Sequence, residues 1–109
     1  MDYEKINTQM KKWVLEYIIL SIISKGEVYA SDILSTLKEC NLLVVEWTLY
    51  PLLSRLKDDK VVTYSWIESQ QGPPRKYYML TKKWEDILDA MRDTWETLAK
   101  AVKTTSRQK

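Results

Sequence analysis

Hydrogen-bond donors and positive charges fall in two short groups of the sequence. The first group is Thr48, Tyr50, Ser54 and Arg55, and the second is Arg75 with Lys76. Side chains of these types donate hydrogen bonds to base edges in the major groove of DNA and to backbone phosphates. A solvated helix face has the same composition, and a basic pair at a strand edge also discourages aggregation. The residue types alone therefore leave DNA contact and a plain solvated surface both open.

The positive charge around these two groups is weak. Residues 45–81 hold nearly as many acidic as basic side chains, and the chain of 109 residues has a net charge of only +2. Each cation that contacts a phosphate releases counterions, so few cations give a shallow dependence of affinity on salt. If these residues contact DNA, we expect modest affinity and a shallow salt slope.

The sequence lacks the residue patterns of common catalytic sites. It has no histidine, which excludes Ser-His and Cys-His nucleophile pairs and every His-containing metal site. Its two glycines cannot form a glycine-rich phosphate loop. The carboxylates between residues 85 and 96 share their helix with Lys82, Lys83, Arg92 and Lys100, as on a solvated helix face. We therefore expect neither an enzyme nor a cofactor or metal, and we assign no role to the lone Cys40.

The length and composition are those of one domain. A single cysteine allows no intrachain disulfide, and the polar N-terminus resembles no cleavable signal. No apolar run reaches the roughly 18 residues of a membrane span. We expect a cytoplasmic protein that does not contact membranes.

The longest helical patterns stand at the two ends of the chain. Residues 6–24 carry two apolar stripes, and residues 82 to about 103 carry a sustained heptad stripe. A domain this small cannot cover the heptad stripe, so we expect a second copy of the chain to cover it by two-fold symmetry. The predicted dimer interface is Ile6, Met10, Trp13, Trp84, Leu88, Trp95, Leu98 and Val102.

Two shorter helices are predicted in the middle of the chain. One begins at Ser31, which is a plausible N-cap, and ends near Asn41. The next is predicted from Thr48 as N-cap to about Asp59, and its core-facing residues are predicted to be Leu49, Leu52, Leu53 and Leu56. This start would place Pro51 at the third helical position, where its missing N–H costs little.

The remaining elements predict a β-hairpin. Strand-like runs at residues 61–67 and 75–80 flank a loop rich in turn-forming residues at 68–74. Three helices, a hairpin and a long heptad helix are the order of a winged helix-turn-helix with a dimerisation helix. The predicted fold class is thus mainly α with a small β-hairpin wing. We expect a DNA-binding domain with the N-terminal helix over residues 1–81, and a dimerisation helix with a polar tail over residues 82–109.

Two long motifs lie in the predicted third helix and hairpin. They are Glu46-Trp-Thr-Leu-Tyr-Pro-Leu-Leu-Ser-Arg-Leu56 and Gly72-Pro-Pro-Arg-Lys-Tyr-Tyr-Met-Leu-Thr81. The first resembles the recognition helix of the PadR-like transcriptional regulators, and the second resembles their wing. The resemblance covers about residues 9–103. It implies a homodimeric repressor whose long C-terminal helix packs against the first helix of the partner. The DNA-binding residues it implies are Ser31, Thr48, Tyr50, Pro51, Ser54, Arg55, Gly72, Arg75 and Lys76.

The resemblance also implies a small-molecule effector. Members of the family respond to phenolic acids or flat hydrophobic drugs, and in the multidrug-sensing branch a tryptophan that matches Trp95 lines a pore across the dimer. The ligand-binding residues predicted on this basis are Tyr17, Leu88, Met91 and Trp95. An aromatic residue at heptad spacing is otherwise ordinary dimer core, and Trp13 and Trp84 would be large enough to fill such a pore.

Several residues depart from the family pattern. The family usually has glycine where this chain has Trp13, Trp47 and Trp84, and commonly also at Ala30 and Lys60. Lys60 follows the third helix, where a left-handed residue is needed. The indole of Trp47 would either obstruct DNA or stack on a sugar. For the three tryptophans we consider two hypotheses: an engineered chain, or UGA codons that encode glycine in the source lineage and were translated as tryptophan.

The sequence predicts a DNA-binding transcriptional regulator of repressor type. It would bind a double-stranded operator as a homodimer and be relieved by a small aromatic or phenolic molecule. The alternative is a dimeric aromatic-ligand or protein-interaction module that has lost operator binding, which Trp47 and Lys60 favour. Substitution of Arg55 and Arg75 would abolish function in the first case and spare it in the second.

Overall fold

A computed structural model describes residues 2–69 and 72–106 of the chain. These residues form helices and one antiparallel hairpin in the predicted order, which confirms the mainly α fold with a β-hairpin wing. The elements are α1 (Tyr3–Ile23), α2 (Ala30–Glu39), α3 (Glu46–Asp58), β1 (Val62–Ser69), β2 (Gly72–Leu80) and α4 (Lys82–Thr105). Part of the predicted hairpin loop (residues 70 and 71) and the end of the predicted tail (residues 107–109) lie outside the described residues.

The hydrophobic core forms where the C-terminal half of α1 meets α2, α3 and the hairpin. The side chains most completely removed from solvent are Ile19, Ile23, Ile33, Leu37, Leu49, Leu53 and Val62. Burial of each such side chain stabilises the fold by roughly 1.5–3 kcal/mol. Because α3 contributes two of them, the core fixes which face of α3 points outward.

The hairpin, which we call the wing, is longer than predicted and is tied to the segment before α2. Its strands pair from Val62–Leu80 to Ile67–Arg75, with an irregular register between Ile67 and Ser69. The amide of Tyr78 donates to the carbonyl of Val28 at 2.8 Å, and the amide of Val28 donates back at 3.3 Å. The wing is therefore held against the start of α2 by backbone hydrogen bonds.

The predicted start of α2 at Ser31 is wrong by two residues. Tyr29 is the N-cap, and its backbone N–H donates to Oδ2 of Asp32 at 2.9 Å. A carboxylate at the third helical position reaches back to the N-cap amide in this way, so a side-chain cap from Ser31 is not required. The hydroxyl of Ser31 accepts a hydrogen bond from Arg75 instead.

The predicted start of α3 at Thr48 is also wrong. Val45 is the N-cap, and its carbonyl accepts hydrogen bonds from the amides of Thr48 and Leu49 at 3.0 and 3.1 Å. Pro51 therefore stands beyond the first turn, where it removes the backbone hydrogen bond to the carbonyl of Trp47. An extended residue before the first turn was enough to start the helix without a polar cap.

Both α2 and α3 end in a left-handed residue that is not glycine. Asn41 has φ 62° and Lys60 has φ 60°, which confirms the left-handed position predicted for Lys60. After α3, the amide of Lys60 donates to the carbonyl of Lys57 at 3.0 Å, and the amide of Val61 donates to that of Leu56 at 2.9 Å. This is the Schellman arrangement, in which glycine is usual and asparagine less common.

Candidate nucleic-acid interface

The outer face of α3 is exposed as the spacing predicts. Leu49, Leu53 and Leu56 are buried in the core. Because a helix repeats every 3.6 residues, the positions between them must face away from the core. The exposed residues of this face include Thr48, Tyr50, Pro51, Ser54 and Arg55.

Arg55 differs from the others because it also contacts α1. Its guanidinium forms an ion pair with the carboxylate of Glu16, although about half of the arginine side chain stays exposed. The two residues line an apolar groove of about 540 Å³ between α1 and the segment before α3, together with Thr48. Part of the charge of Arg55 is thus already neutralised within the chain.

Arg75 of the wing reaches across to the start of α2. Its Nη2 donates to Oγ of Ser31 at 2.9 Å. Its guanidinium carbon lies 3.6 Å from the ring centre of Tyr29. That ring in turn stacks on Tyr77, with 4.0 Å between ring centres and 27° between ring planes. A hydrogen bond between the two tyrosines, followed by desolvation, raises the pKa of Tyr77. Sequence reasoning missed Tyr29 because its partners are distant along the chain.

Lys76 lies on the other face of β2, over a different aromatic cluster. Its Nζ is 4.5 Å from the ring centre of Tyr64 and 5.3 Å from that of Trp66. Lys57 of α3 approaches the same Tyr64 ring at 5.3 Å. Two cations from different elements therefore share one aromatic surface, and Lys57 is a second residue that the sequence did not single out for this role.

A cleft of about 310 Å³ brings several predicted residues together between α2, α3 and the wing. The cleft is lined by Tyr29, Ala30, Ser31, Tyr50, Trp66, Pro74, Arg75, Lys76 and Tyr78. Burial, followed by the neighbouring Tyr50 and Tyr64, raises the pKa of Tyr78.

Gly72 and Thr48 are predicted DNA-binding residues that do not line this cleft. Gly72 lies at the exposed start of β2, and a Cβ atom there would meet nothing within 4 Å. Thr48 lines the other groove instead.

Comparison with protein families gives a match to the description "Transcriptional regulator PadR-like family" over residues 19–90. This chain belongs to the PadR-like family. The match spans the last turn of α1 from Ile19 onward, α2, α3, the wing and the first part of α4. Members of the family are transcriptional regulators and not enzymes.

Solved structures agree with this assignment over nearly the whole chain. A PadR-like transcription factor from Bacteroides fragilis is 50% identical, with a TM-score of 0.78 over 93% of this chain and 98% of that chain. A PadR-like transcriptional regulator from Bacillus cereus is 34% identical, with a TM-score of 0.82 over 93% and 99%. A Streptococcus transcriptional regulator is 31% identical, with a TM-score of 0.81 over 92% and 99%. Comparison with curated proteins gives no match.

The far ends of α1 and α4 carry the second predicted surface of this PadR-like chain. On α1, Met10 and Trp13 are each 72% exposed, and Ile6 is half-buried. On α4, Trp95, Leu98 and Val102 are 42%, 55% and 62% exposed. Much of the surface of these apolar side chains is left uncovered within the described part of a single chain. None of the described helices has the length and apolar character needed to cross a membrane.

Other residues predicted for that surface lie nearer the core. Leu88 is buried, and Tyr17, Trp84 and Met91 are partly buried against the core. The prediction of Leu88 as a dimer and ligand contact therefore needs correction at the level of the single chain, since that side chain packs inside its own domain. The heptad pattern could not distinguish residues that face the core of their own domain from residues that face a partner, because both kinds of position share one stripe of a helix.

Proposed function

We propose that this PadR-like chain represses transcription by binding an operator as a homodimer. The observation that carries the proposal is the cleft at which Tyr50 of α3, Ser31 of α2 and the wing residues Arg75 and Lys76 meet. In this assignment α3 enters the major groove, and the wing contacts flanking phosphates or the minor groove. Thr48, Pro51 and Ser54 lie on the exposed face of α3 and complete its contact surface, with Gly72 at the start of the second wing strand.

We assign DNA binding and dimerisation to different parts of the chain. Residues 1–81 form the DNA-binding domain, and residues 82–109 supply the dimerisation helix and tail. The exposed apolar side chains of α1 and α4 support this division, because a second copy would remove them from water. In a two-fold dimer the two recognition helices read two half-sites of a palindromic operator. The single cysteine favours action in the reducing cytoplasm.

The proposed effector is a flat aromatic or phenolic molecule that binds between the protomers. Trp95 is partly exposed, and Tyr17 and Met91 are half-buried, so these three side chains offer apolar surface to such a ligand. The ligand would change repression only if it bound two spacings of the recognition helices with different affinity. We assign Leu88 a supporting role behind this surface, since it is buried.

Fluorescence anisotropy tests the proposal directly. The DNA upstream of the protein's own gene is titrated with protein at two salt concentrations, with an unrelated duplex as control. We expect selective binding that weakens with salt, and a loss of affinity in Arg75→Ala. The matched control is Arg92→Ala, since Arg92 is an exposed arginine of α4 that pairs with Asp89. Equal weak binding to both duplexes, or none, would contradict the proposal.

A second candidate function rests on Trp47. This side chain is 79% exposed at the start of α3. A large indole at this point favours a dimeric aromatic-ligand or protein-interaction module that no longer binds an operator. In that case Arg55→Ala and Arg75→Ala would spare the function, and the duplex titrations would show no preference.

A further inference from the structure

The contacts of Arg75 differ from those of the other arginines among the described residues, Arg55 and Arg92. Its guanidinium is held on one side by the ring of Tyr29 and at one edge by the hydroxyl of Ser31. An arginine on a surface normally samples many rotamers, and binding a phosphate requires it to give up that freedom. A guanidinium that is already fixed loses less entropy when it binds.

Both the side chain and the backbone of Tyr29 are held in place. Its ring stacks on Tyr77, and its backbone amide donates a hydrogen bond to Asp32 at the start of α2. Arg75 and Tyr77 lie two residues apart on β2, so their side chains share one face of the strand. Strand β2 of the wing and the start of α2 are therefore joined by one continuous series of side-chain contacts, from Tyr77 through Tyr29 and Arg75 to Ser31.

The charge of Arg75 remains available for a ligand. A guanidinium has five N–H donors, and the described contacts use one of them on a neutral hydroxyl. Across residues 2–69 and 72–106, the ion pairs are Arg55 with Glu16 and Arg92 with Asp89, and neither involves Arg75. Planar guanidinium groups with free donors match the geometry of phosphate oxygens.

We propose that Tyr29 is a positioning residue that holds Arg75 in the orientation in which it binds a DNA phosphate. This inference rests on the proposed DNA-binding function and deepens it. Ser31 holds one edge of the guanidinium, and Arg75 lines the same cleft as Tyr50. Lys76, which lies over Tyr64 and Trp66, is not part of this arrangement.

Operator titrations with Tyr29→Leu and Tyr29→Phe test the inference. Loss of the ring should weaken binding by about two- to fivefold, which is the size of one exposed cation–π contact. Tyr29→Phe keeps the aromatic face and should bind almost as well as the unsubstituted protein. Arg75→Ala should lower the salt slope by about one, whereas Tyr29→Leu should leave it unchanged because the charge remains.

A double-mutant cycle separates positioning from a general effect on folding. In the Arg75→Ala background, Tyr29→Leu should have no further effect on affinity, since there is no guanidinium left to hold. An equal loss in both backgrounds would overturn the inference, as would unchanged affinity in Tyr29→Leu. If the unsubstituted protein prefers no operator, the proposed function itself fails, and this outcome is distinct from a failure of the Tyr29 variants alone.

The free protein offers a measurement that needs no DNA. The side-chain protons of Arg75 above the Tyr29 ring should show an upfield ring-current shift in NMR spectra. Tyr29→Leu should abolish this shift and Tyr29→Phe should retain it, with the backbone spectrum of the core unchanged in both. Arg75 signals that are identical in all three proteins would overturn the positioning role.

Discussion

Lys60 adopts a backbone conformation that suits glycine better than lysine. Its φ of 60° lies in the left-handed region, where a Cβ atom approaches the following carbonyl. Lys60→Gly should therefore raise the free energy of unfolding by about 1 kcal/mol, after the greater entropy of glycine in the unfolded chain is subtracted. Urea denaturation checks this result. Lys57→Gly, within the last turn of α3, is the control and should destabilise by about 1 kcal/mol. A destabilised Lys60→Gly variant would contradict the argument.

Trp13, Trp47 and Trp84 stand where the resemblance to the family led us to expect glycine. Trp13 and Trp47 are 72% and 79% exposed, so they contribute little to the core of the single chain. Of the two hypotheses, codon reassignment predicts that codons 13, 47 and 84 of the source gene are UGA, and an engineered chain is the alternative. The protein purified from its native cells should then be lighter than the printed sequence by three tryptophan-to-glycine differences in intact mass. Ordinary tryptophan or glycine codons at the three positions would defeat the codon hypothesis.

The start of α3 shows how an element can depart from its sequence pattern. A polar cap was expected at Thr48, yet the helix begins after Val45. The physical reason is that an extended residue with a free carbonyl can start a helix when the leucines that follow are pulled into the core. The prediction found the buried face of the helix correctly and misplaced its first turn.

Because α3 starts earlier than predicted, Pro51 lies in the interior of the helix. It is the sixth residue of α3, where proline lacks the N–H for the carbonyl of Trp47 and its ring crowds that group. Pro51→Ala should stabilise the fold by about 1 kcal/mol, which is less than the full interior cost of proline because the unfolded chain gains freedom. The midpoint of urea denaturation measures the effect. Ser54→Ala, on the same exposed face, is the control, and a lower midpoint for Pro51→Ala would refute this account.

The whole molecule is more extended than its length requires. Its radius of gyration is 16.1 Å, whereas a compact domain of this size has about 13 Å. The excess arises because the N-terminal half of α1 and the C-terminal half of α4 extend beyond the core, with exposed Met10, Trp13, Trp95, Leu98 and Val102. Apolar side chains on projecting helices are typical of an interface with another chain.

Charges placed on α4 test the dimer. The double variant Trp95→Asp/Leu98→Asp should sediment as a monomer, because two carboxylates would have to be buried in the interface. Thr97→Asp, at an exposed polar position of the same turn, should sediment as the unsubstituted dimer does. Analytical ultracentrifugation gives both values. A dimer that survives the double substitution would place the interface elsewhere.

The order of elements, the core-facing leucines of α3 and the family could all be predicted from the sequence. Hydrophobic periodicity is a local property of a helix or strand, so it can be recognised without knowing which elements pack against it. The two motifs in α3 and the wing indicated the PadR-like family, which comparison over residues 19–90 then confirmed.

Only the tertiary structure decided what the polar and aromatic side chains contact. Ser31 was expected to cap a helix, but it accepts a hydrogen bond from Arg75, which is 44 residues away. Arg55 was expected to contact DNA from the outer face of α3, and the structure adds an ion pair with Glu16 of α1 that the sequence did not predict. Leu88 was expected at the dimer interface, but it is buried in its own core. These partners come from elements that meet only when the chain folds, and no local pattern carries that information.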